Sequence, residues 1–388
     1  MRILHTADWH LGKTLEGRSR LPEQEAFIDE LCGIVEEECI DVLLLAGDVF
    51  DTVNPPSAAE QLFYDSMARL ADGGKRKVIV IAGNHDNPDR LAAAHPLAAK
   101  HGITLLGLPT AEMLSVAVPR TGEEARVFAL PYPSESRLQV LLAESSEEEV
   151  LRRAYDERLA HLFTKQSAYF TPHTVNLVMS HLYVLGSFES ESERPIQVGG
   201  AYTVSATTLP EAAQYVALGH LHRPQEVAKA PTRARYSGSP LAYSFSEAGQ
   251  AKSVTIIDVA PGAPADVSEL FLSSGRPLVK WKARDGIAEV YRWIDEGRDA
   301  NAWIDLEVHV PDTIPLEDIQ KLRRLHGGMI GIRPIYPDMQ ETAEAMERRA
   351  SLPIDELFRR FYSRQTGGAV PDEETVKLFM EVLEEKEG

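Results

Sequence analysis

VIVIAGNHDN, residues 78–87, is the stretch on which the fold prediction rests. Its first four residues are β-branched and apolar, the pattern of a strand that is buried on both faces of a parallel sheet. Ala82-Gly83 ends this strand, and Asn84, His85 and Asp86 follow at once. Because α/β sheets bind ligands beyond the carboxyl ends of their strands, these polar residues stand where a functional site is expected. In isolation they would be typical of an ordinary turn.

The same pattern, a buried strand that ends in polar residues, recurs along the chain. Strands are predicted at 2–7, 41–46, 103–107, 126–130, 174–180 and 214–218. Helices are predicted at 21–39, 57–72, 91–100 and 147–170. This alternation predicts a mainly parallel sheet covered by helices, and the strands that follow to about residue 273 predict a second sheet. The ligand-type side chains at the strand ends are Asp8, His10, Asp48, Asn84, His85, His181, His220 and His222.

These eight side chains offer oxygen and imidazole donors and no thiolate. That set suits Mn²⁺, with Zn²⁺ and Fe²⁺ as competitors, rather than structural zinc or an iron–sulfur cluster. Two such ions about 3.5–4 Å apart form the usual arrangement for phosphoester cleavage, and one carboxylate must bridge them. A single buried histidine is more often an ordinary packed residue, so the prediction depends on the number of ligand-type groups at strand ends.

Composition limits the class of protein. With 388 residues, 44% of them hydrophobic and 26% charged, the chain resembles soluble globular proteins with one large domain and one or two small ones. A net charge of −19 argues against a protein that coats DNA, although bound cations and local basic loops can invert the potential of a cleft. Cys32 and Cys39 suit a reducing compartment. We find no signal peptide or membrane span and expect a cytoplasmic protein.

A change of composition at Ser273-Ser274-Gly275-Arg276-Pro277 predicts a domain boundary. We expect a large domain at 1–275, a small α/β domain at 276–340 and a helical tail at 341–388. The small domain has predicted strands at 277–282, 302–309 and 329–336 and helices at 286–297 and 315–325. Two short amphipathic helices in the tail predict a partner-binding surface, with a helix pair folded back on the body as the alternative. Its apolar residues are Leu357, Phe358, Phe361, Tyr362, Leu378 and Phe379.

Five motifs carry a resemblance to a known family. They are Asp8-x-His10, Gly47-Asp48-x-x-Asp51, Gly83-Asn84-His85-Asp86, His181 and Gly219-His220-x-His222. In order and spacing they resemble the motifs of the calcineurin-like metallophosphoesterases. SESERPIQVGG (190–200) and YSGSPLAYSFSE (236–247) resemble the SbcD family of bacterial nuclease subunits. The resemblance implies an α/β fold, a four-layer αββα two-sheet sandwich followed by a capping domain with a role in DNA binding and by a helical tail.

The resemblance also implies roles for individual residues. Asp51 and Asp86 would orient their neighbours, and His85 would lie beside the scissile phosphate as the catalytic group rather than as a ligand. One Mn²⁺ would be held by Asp8, His10, Asp48 and His222. The second would be held by Asp48, Asn84, His181 and His220. Mg²⁺, Zn²⁺ or Fe²⁺ are possible substitutes.

The activity implied is two-metal, in-line hydrolysis of DNA phosphodiesters, as a 3′→5′ exonuclease on duplex ends and an endonuclease on single strands and hairpins. The resemblance further implies a homodimer, formed by helices around 54–72 and 88–100, that acts in the cytoplasm on the nucleoid. The tail would bind an SMC-like ATPase, SbcC, and the complex would process DNA ends in repair, recombination and replication.

Two alternatives remain open at this point. The same site would serve a small-molecule or cyclic-nucleotide phosphodiesterase, which the acidic charge slightly favours and the extra domain and tail disfavour. The second alternative is a non-catalytic scaffold in which metal ions only stabilise the fold. The complete ligand set together with His85 argues against this alternative.

Overall fold

The computed structural model of the protein describes residues 1–144, 154–193, 203–336, 354–365 and 371–384. The chain forms two compact units, one of Met1–Lys280 with Asn301–Asp305 and one of Trp281–Ala300 with Leu306–Gly388. The three-domain division expected from composition stays a prediction. Within the described residues, no helix combines the length and apolarity needed to cross a membrane.

The first unit contains two six-stranded sheets. In spatial order the first sheet is β16 (Asp266–Phe271), β15 (Ser253–Asp258), β1 (Arg2–Thr6), β4 (Val42–Ala46), β5 (Lys77–Ile81) and β6 (Ile103–Leu106). Its four strands β1, β4, β5 and β6 are parallel, whereas β15 is antiparallel to β1 and β16 is antiparallel to β15.

The second sheet also has four parallel strands, but its two further strands lie at opposite edges, whereas β15 and β16 lie together at one edge of the first sheet. In spatial order it is β13 (Gln225–Glu226), β14 (Ala234–Tyr236), β12 (Tyr215–Gly219), β9 (Val175–His181), β8 (Glu123–Leu130) and β7 (Leu114–Val118). Four central strands are parallel and the two edge strands are antiparallel to them. Short pairs are formed by β2 (Thr14–Leu15) with β3 (Arg18–Ser19) and by β10 (Tyr183–Val184) with β11 (Thr203–Val204).

Helices cover the outer face of each sheet. They are α1 (Leu21–Glu37), α2 (Ser57–Ala71), α3 (Pro88–Ala92), α4 (His95–Ala98), α5 (Glu135–Glu144) and α6 (Tyr155–Ser167). Alternate residues of β4 show the layering, because Leu43 packs toward the α1 and α2 side while Leu44 packs between the sheets. A third apolar cluster lies between the second sheet and α5 and α6. The predicted four-layer αββα sandwich is thereby confirmed.

One predicted helix is divided. The expected helix at 91–100 is replaced by α3, α4 and a 3₁₀ turn at Ala99–His101. Proline explains the break, since Pro96 lacks the backbone N–H that would donate to the Ala92 carbonyl in a continuous helix. The helix predicted at 147–170 corresponds to α6, and its part at 147–153 lies outside the described residues.

A three-stranded sheet follows in the C-terminal part. Its elements are β17 (Leu278–Ala283), α7 (Ile287–Asp295), β18 (Trp303–His309), α8 (Leu316–Leu325) and β19 (Met329–Ile335), with β18 in the centre of the sheet. All five lie within two residues of their predicted bounds. Trp281 is fully buried, and its ring centroid lies 5.4 Å from that of Trp293 and 5.6 Å from that of His326, so aromatic contacts form the core of the second unit.

The tail forms two helices, α9 (Ile354–Gln365) and α10 (Glu373–Glu384). Phe358 and Phe379 stack with ring centroids 4.0 Å apart, so the two helices pack against each other. Leu357 and Leu378 remain exposed, by 37% and 62%. The side chain of Phe361 lies outside the described residues.

Candidate metal centre

The loops at the carboxyl ends of the parallel strands meet at one edge of the sandwich. Two backbone hydrogen bonds connect the loop after β1 to the loop after β4. Asp8 N–H donates to the Gly47 carbonyl and His10 N–H donates to the Asp48 carbonyl, both at 3.0 Å. From the other sheet, His220 N–H donates to Asp8 Oδ1 at 2.9 Å. Both sheets therefore contribute to a single cluster of side chains.

Two glycines allow this close approach. A Cβ on Gly83 would overlap the carboxylate and backbone nitrogen of Asp48. A Cβ on Gly219 would overlap the Ala46 carbonyl and press on the His181 ring. Each glycine follows or ends a strand, so the need for glycine at these positions comes from contact between loops rather than from a turn.

Strained backbone is concentrated at the same place. Four non-glycine residues at the strand ends have positive φ, namely Asp8 (54°), His10 (45°), Asp48 (49°) and His220 (105°). Such conformations cost roughly 1–3 kcal/mol each and persist where the surroundings impose them, commonly at functional sites. The fold therefore maintains an unfavourable backbone in order to direct these side chains inward.

Asp8, His10 and His222 form the first ligand group. One candidate ligand atom from each lies within 4.8 Å of the others, and all three residues are buried. His10 Nε2 and His222 Nε2 face each other at 3.1 Å. Two imidazole nitrogens and a carboxylate converge here with a spacing that suits a metal ion.

Asp48, His181 and His220 form the second group, also buried and within 4.8 Å. Asn84 completes it, since its Oδ1 lies 2.8 Å from His181 Nε2 and 3.3 Å from His220 Nδ1. His181 Nδ1 donates to the Ala46 carbonyl at 2.9 Å, which leaves Nε2 as the ring nitrogen that faces the group.

The two groups adjoin at Asp48. Its Oδ2 atom lies 3.5 Å from His181 Nε2 in the second group and 3.7 Å from His10 Nε2 in the first. A single carboxylate oxygen is thus located between both sets of ligands, which is the position that a bridging ligand requires.

The electrostatics favour a bound cation. Burial raises the pKa of Asp8 to about 7, and it lowers the pKa of His10 to about 4. Burial would also raise the pKa of Asp48, but protonated His181, followed by His10, holds it well below its usual range. Although burial alone would lower the pKa of His181, the charge of Asp48 raises it to about 9, so in the absence of a metal ion a proton on His181 supplies the positive charge. A divalent cation would stabilise the ionised carboxylates beside neutral imidazoles, which are the forms that bind metals. The donor set therefore fits divalent metal ions.

His85 lies at the edge of the first group. Its ring centroid is 4.8 Å from that of His10, and its Nδ1 bonds the Asp51 carbonyl at 2.7 Å. The Asp51 carboxylate accepts from Lys13 Nζ at 2.7 Å. His10, Asp51 and His85 form a third group of ligand-type residues within 4.8 Å. The His85 ring is therefore oriented by a backbone carbonyl, while its own backbone N–H donates to Asp48 Oδ1 at 2.9 Å.

Asp86 points away from these groups. Its carboxylate accepts backbone N–H bonds from Gly83 at 2.8 Å, Phe50 at 2.9 Å and Val49 at 3.1 Å. By tying the loop after β5 to the loop after β4, Asp86 fixes the backbone that carries the neighbouring ligand-type residues.

Four residues that the sequence analysis did not single out surround His222. Ser192 Oγ bonds His222 Nδ1 at 2.7 Å and donates to Glu247 Oε1 at 2.6 Å. Glu247 is fully buried and pairs with the Lys252 ammonium group. His222 N–H donates to Glu193 Oε1 at 2.7 Å. Such hydrogen bonds orient a histidine and select which of its nitrogens faces a metal.

Comparisons with known proteins agree with this geometry. Residues 1–224 match the model of the calcineurin-like phosphoesterase family, and residues 274–366 match that of the type 5 capsule protein repressor C-terminal domain. The chain is 58% identical to the SbcD subunit of the SbcCD nuclease of Bacillus subtilis, over 98% of this chain and 97% of that protein.

Proteins of the same name in two other bacteria are also similar. The one from Rhodobacter capsulatus is 39% identical over 68% of this chain and 67% of its own length. The one from Escherichia coli K12 is 29% identical over 93% of this chain and 92% of its own length. The chain therefore belongs to the calcineurin-like phosphoesterase family and, within it, to the SbcD family of nuclease subunits.

Proposed function

We propose that this protein is a two-metal DNA phosphodiesterase, the nuclease subunit of an SbcCD-type complex. The observation that carries the proposal is the position of Asp48 Oδ2 between the two ligand groups, 3.7 Å from His10 Nε2 and 3.5 Å from His181 Nε2. A site with one ion needs no such shared oxygen, whereas cleavage of a phosphodiester by two ions does.

The ligand assignment follows from the two groups. Asp8, His10, His222 and the shared Asp48 would hold one ion. Asn84, His181, His220 and the shared Asp48 would hold the other. When bound, two divalent cations lower the pKa of the attacking water and polarise the phosphoryl oxygens. Mn²⁺ suits this mixture of carboxylate, amide and imidazole ligands, with Mg²⁺, Zn²⁺ and Fe²⁺ as substitutes.

The residues of the chain supply positioning and proton transfer. The Asp51 carbonyl fixes the His85 ring, and Asp86 fixes the loop beneath it. His85 is our candidate to protonate the leaving 3′ oxygen, because an alkoxide leaves poorly unless it is neutralised. Ser192 and Glu247 hold the His222 ring through Nδ1, so that Nε2 faces His10.

The substrate and partner are inferred from the family. The relatives are named as a subunit of the SbcCD nuclease. We propose that this chain cuts DNA ends, hairpins and single strands together with an SbcC-like ATPase, in the cytoplasm, for repair, recombination and replication. The net charge of −19 is consistent with a partner that supplies much of the DNA affinity.

The purified chain should cleave a hairpin-ended DNA duplex when Mn²⁺ is present, and chelation should abolish cleavage. Addition of the ATPase with ATP should increase the rate. Gel analysis of labelled hairpins measures the rate of cleavage. A chromogenic phosphodiester is assayed in parallel as the small-molecule substrate. If the chain hydrolysed only the small diester, with and without the ATPase, it would instead be a small-molecule phosphodiesterase.

We also propose that α9 and α10 of the tail bind the ATPase. Stacking of Phe358 on Phe379 gives the helix pair a defined geometry, and Arg359 pairs with Glu373 at 2.8 Å across it. Ile354, Leu357 and Leu378 stay exposed by 54%, 37% and 62%. An apolar surface of this kind on a preformed helix pair suits the groove of a partner protein.

A second apolar surface supports the proposed homodimer. A groove of 450 Å³ between α2 and α4 is lined by Tyr64, Met67, Leu97 and Leu105 among others. Leu97 is 71% exposed and Tyr64 41% exposed. Contiguous exposed apolar groups on a soluble domain mark association surfaces, and this one coincides with the helices expected to form the dimer.

Leu97→Asp should convert the dimer into a monomer, because a carboxylate would be buried in an apolar contact without a partner. Sedimentation velocity measures the change, and turnover of a small diester should persist. Val140→Asp is the matched control, since Val140 on α5 is 60% exposed and outside the groove. A parent chain that sediments as a monomer, or a Leu97 variant that stays dimeric, would contradict the proposal.

A further inference from the structure

Phe188 is an exposed aromatic residue beside the metal centre. Its side chain is 66% exposed, and the guanidinium carbon of Arg223 lies 5.2 Å from its ring centroid. Single exposed apolar residues are common and need no explanation. This one differs because its backbone is clamped, a cation lies over its ring and the ligand groups are close by.

The backbone of Phe188 is held by the side chain of Gln225. Phe188 N–H donates to Gln225 Oε1 at 2.8 Å, and Gln225 Nε2 donates back to the Phe188 carbonyl at 2.9 Å. The same Nε2 also donates to the Arg223 carbonyl at 3.2 Å. Gln225 begins β13 of the second sheet, so Phe188 and Arg223 are fixed to the same rigid support. Because the backbone that carries the ring is already held, binding a ligand here need not order the loop as well.

Phe188 and Arg223 are both connected to the first ligand group through neighbouring residues. Arg223 follows His222 in the chain, and Ser192, four residues after Phe188, bonds His222 Nδ1 at 2.7 Å. Glu193 accepts from His222 N–H at 2.7 Å. The exposed ring of Phe188 is therefore linked to the first ligand group on two sides, through Arg223 and through Ser192.

The charges next to Phe188 favour contact with a nucleobase rather than with a phosphate. Glu189, Glu191 and Glu193 follow Phe188 closely, and carboxylates repel the phosphate backbone. An uncharged aromatic face attracts any nucleobase by stacking, whatever the sequence. Arg223 supplies the local positive charge that an adjacent phosphate requires.

We propose that Phe188 stacks on an unpaired nucleobase of the strand that enters the metal centre, while Arg223 pairs with the neighbouring phosphate. This inference rests on the proposed nuclease function and adds to it a subsite for unpaired bases. The faces of paired bases are already covered by their neighbours in a duplex. The subsite therefore serves single strands and hairpin loops and contributes little to a fully paired blunt duplex.

Phe188→Ala tests the subsite, in the full-length chain with Mn²⁺. KM for a single-stranded oligonucleotide should rise about tenfold, the usual effect of losing one base–aromatic stack, while kcat changes little. KM for a blunt duplex and turnover of a chromogenic diester should stay at the parent values. Phe188→Trp should restore the parent KM, because its larger ring also stacks.

Phe271→Ala is the matched control, since Phe271 is a 63% exposed phenylalanine on the edge strand β16 of the same unit. The subsite would be overturned if Phe188→Ala left KM for the single strand unchanged. It would also be overturned if KM for the single strand rose equally in the Phe271 variant, or if KM for the blunt duplex rose equally in Phe188→Ala. If the parent chain turned over the diester and bound no oligonucleotide, the nuclease function would fail together with the subsite. If the parent chain cleaves the hairpin and the diester, and Phe188→Ala loses affinity only for the single strand, the result supports both the nuclease function and the subsite.

Discussion

Asp48→Asn should lower kcat for phosphodiester cleavage by about 1,000-fold or more, while the chain stays folded. Asparagine keeps the shape of the side chain and the oxygen that accepts His85 N–H at 2.9 Å. It removes the negative charge located between the two ligand groups. Metal ions supply several kcal/mol to such reactions, and each 1.36 kcal/mol is a factor of ten.

Metal content separates this cause from a general loss of structure. The Asp48 variant should bind no more than one Mn²⁺ per chain, where the parent binds two, as measured by elemental analysis after gel filtration. Asp65→Asn on α2 is the matched control, because its carboxylate is 61% exposed and belongs to none of the ligand groups. Two tightly bound ions in the Asp48 variant, or parent-level cleavage, would contradict the role of Asp48 as the bridge.

The strands and the clustering of ligand-type side chains could be predicted from sequence for one physical reason. Buried parallel strands such as β4 and β5 have short β-branched and leucine runs, and their carboxyl ends meet at one edge of a sheet. Polar residues that follow such runs, Asp48 and Asn84 among them, must then be neighbours. No side-chain detail is needed for that inference.

The hydrogen bonds around His222 could not be predicted in the same way. Ser192 and Glu247 are 55 residues apart in sequence and meet through a single hydroxyl. Both lie in stretches that resemble the SbcD family, 190–200 and 236–247, and this was the only sequence signal that pointed to them. The left-handed backbone at Asp8 and His10 has only a weak signature in residue type, since Asp and His adopt positive φ more often than most residues but far less often than glycine.

His85→Ala should retain both metal ions and lose most DNA cleavage, about 100- to 10,000-fold in kcat, the usual contribution of a general acid. The His85 side chain belongs to neither of the two proposed ligand sets, so its removal should not release an ion. Its Nδ1 is occupied by the Asp51 carbonyl at 2.7 Å, which leaves Nε2 as the nitrogen available to a leaving oxygen.

The leaving group provides the sharper measurement. A 3′ alkoxide must be protonated as it departs, whereas a nitrophenolate departs without a proton, so His85→Ala should slow a nitrophenyl diester far less than DNA. The comparison is made at equal Mn²⁺ occupancy, with His173→Ala at an exposed histidine as the control. If both substrates slowed by the same factor, His85 would act by stabilising charge on the phosphoryl group instead of by proton transfer. If metal content fell with the rate, His85 would have to be counted among the ligands, since it lies within 4.8 Å of His10 in a group of its own with Asp51.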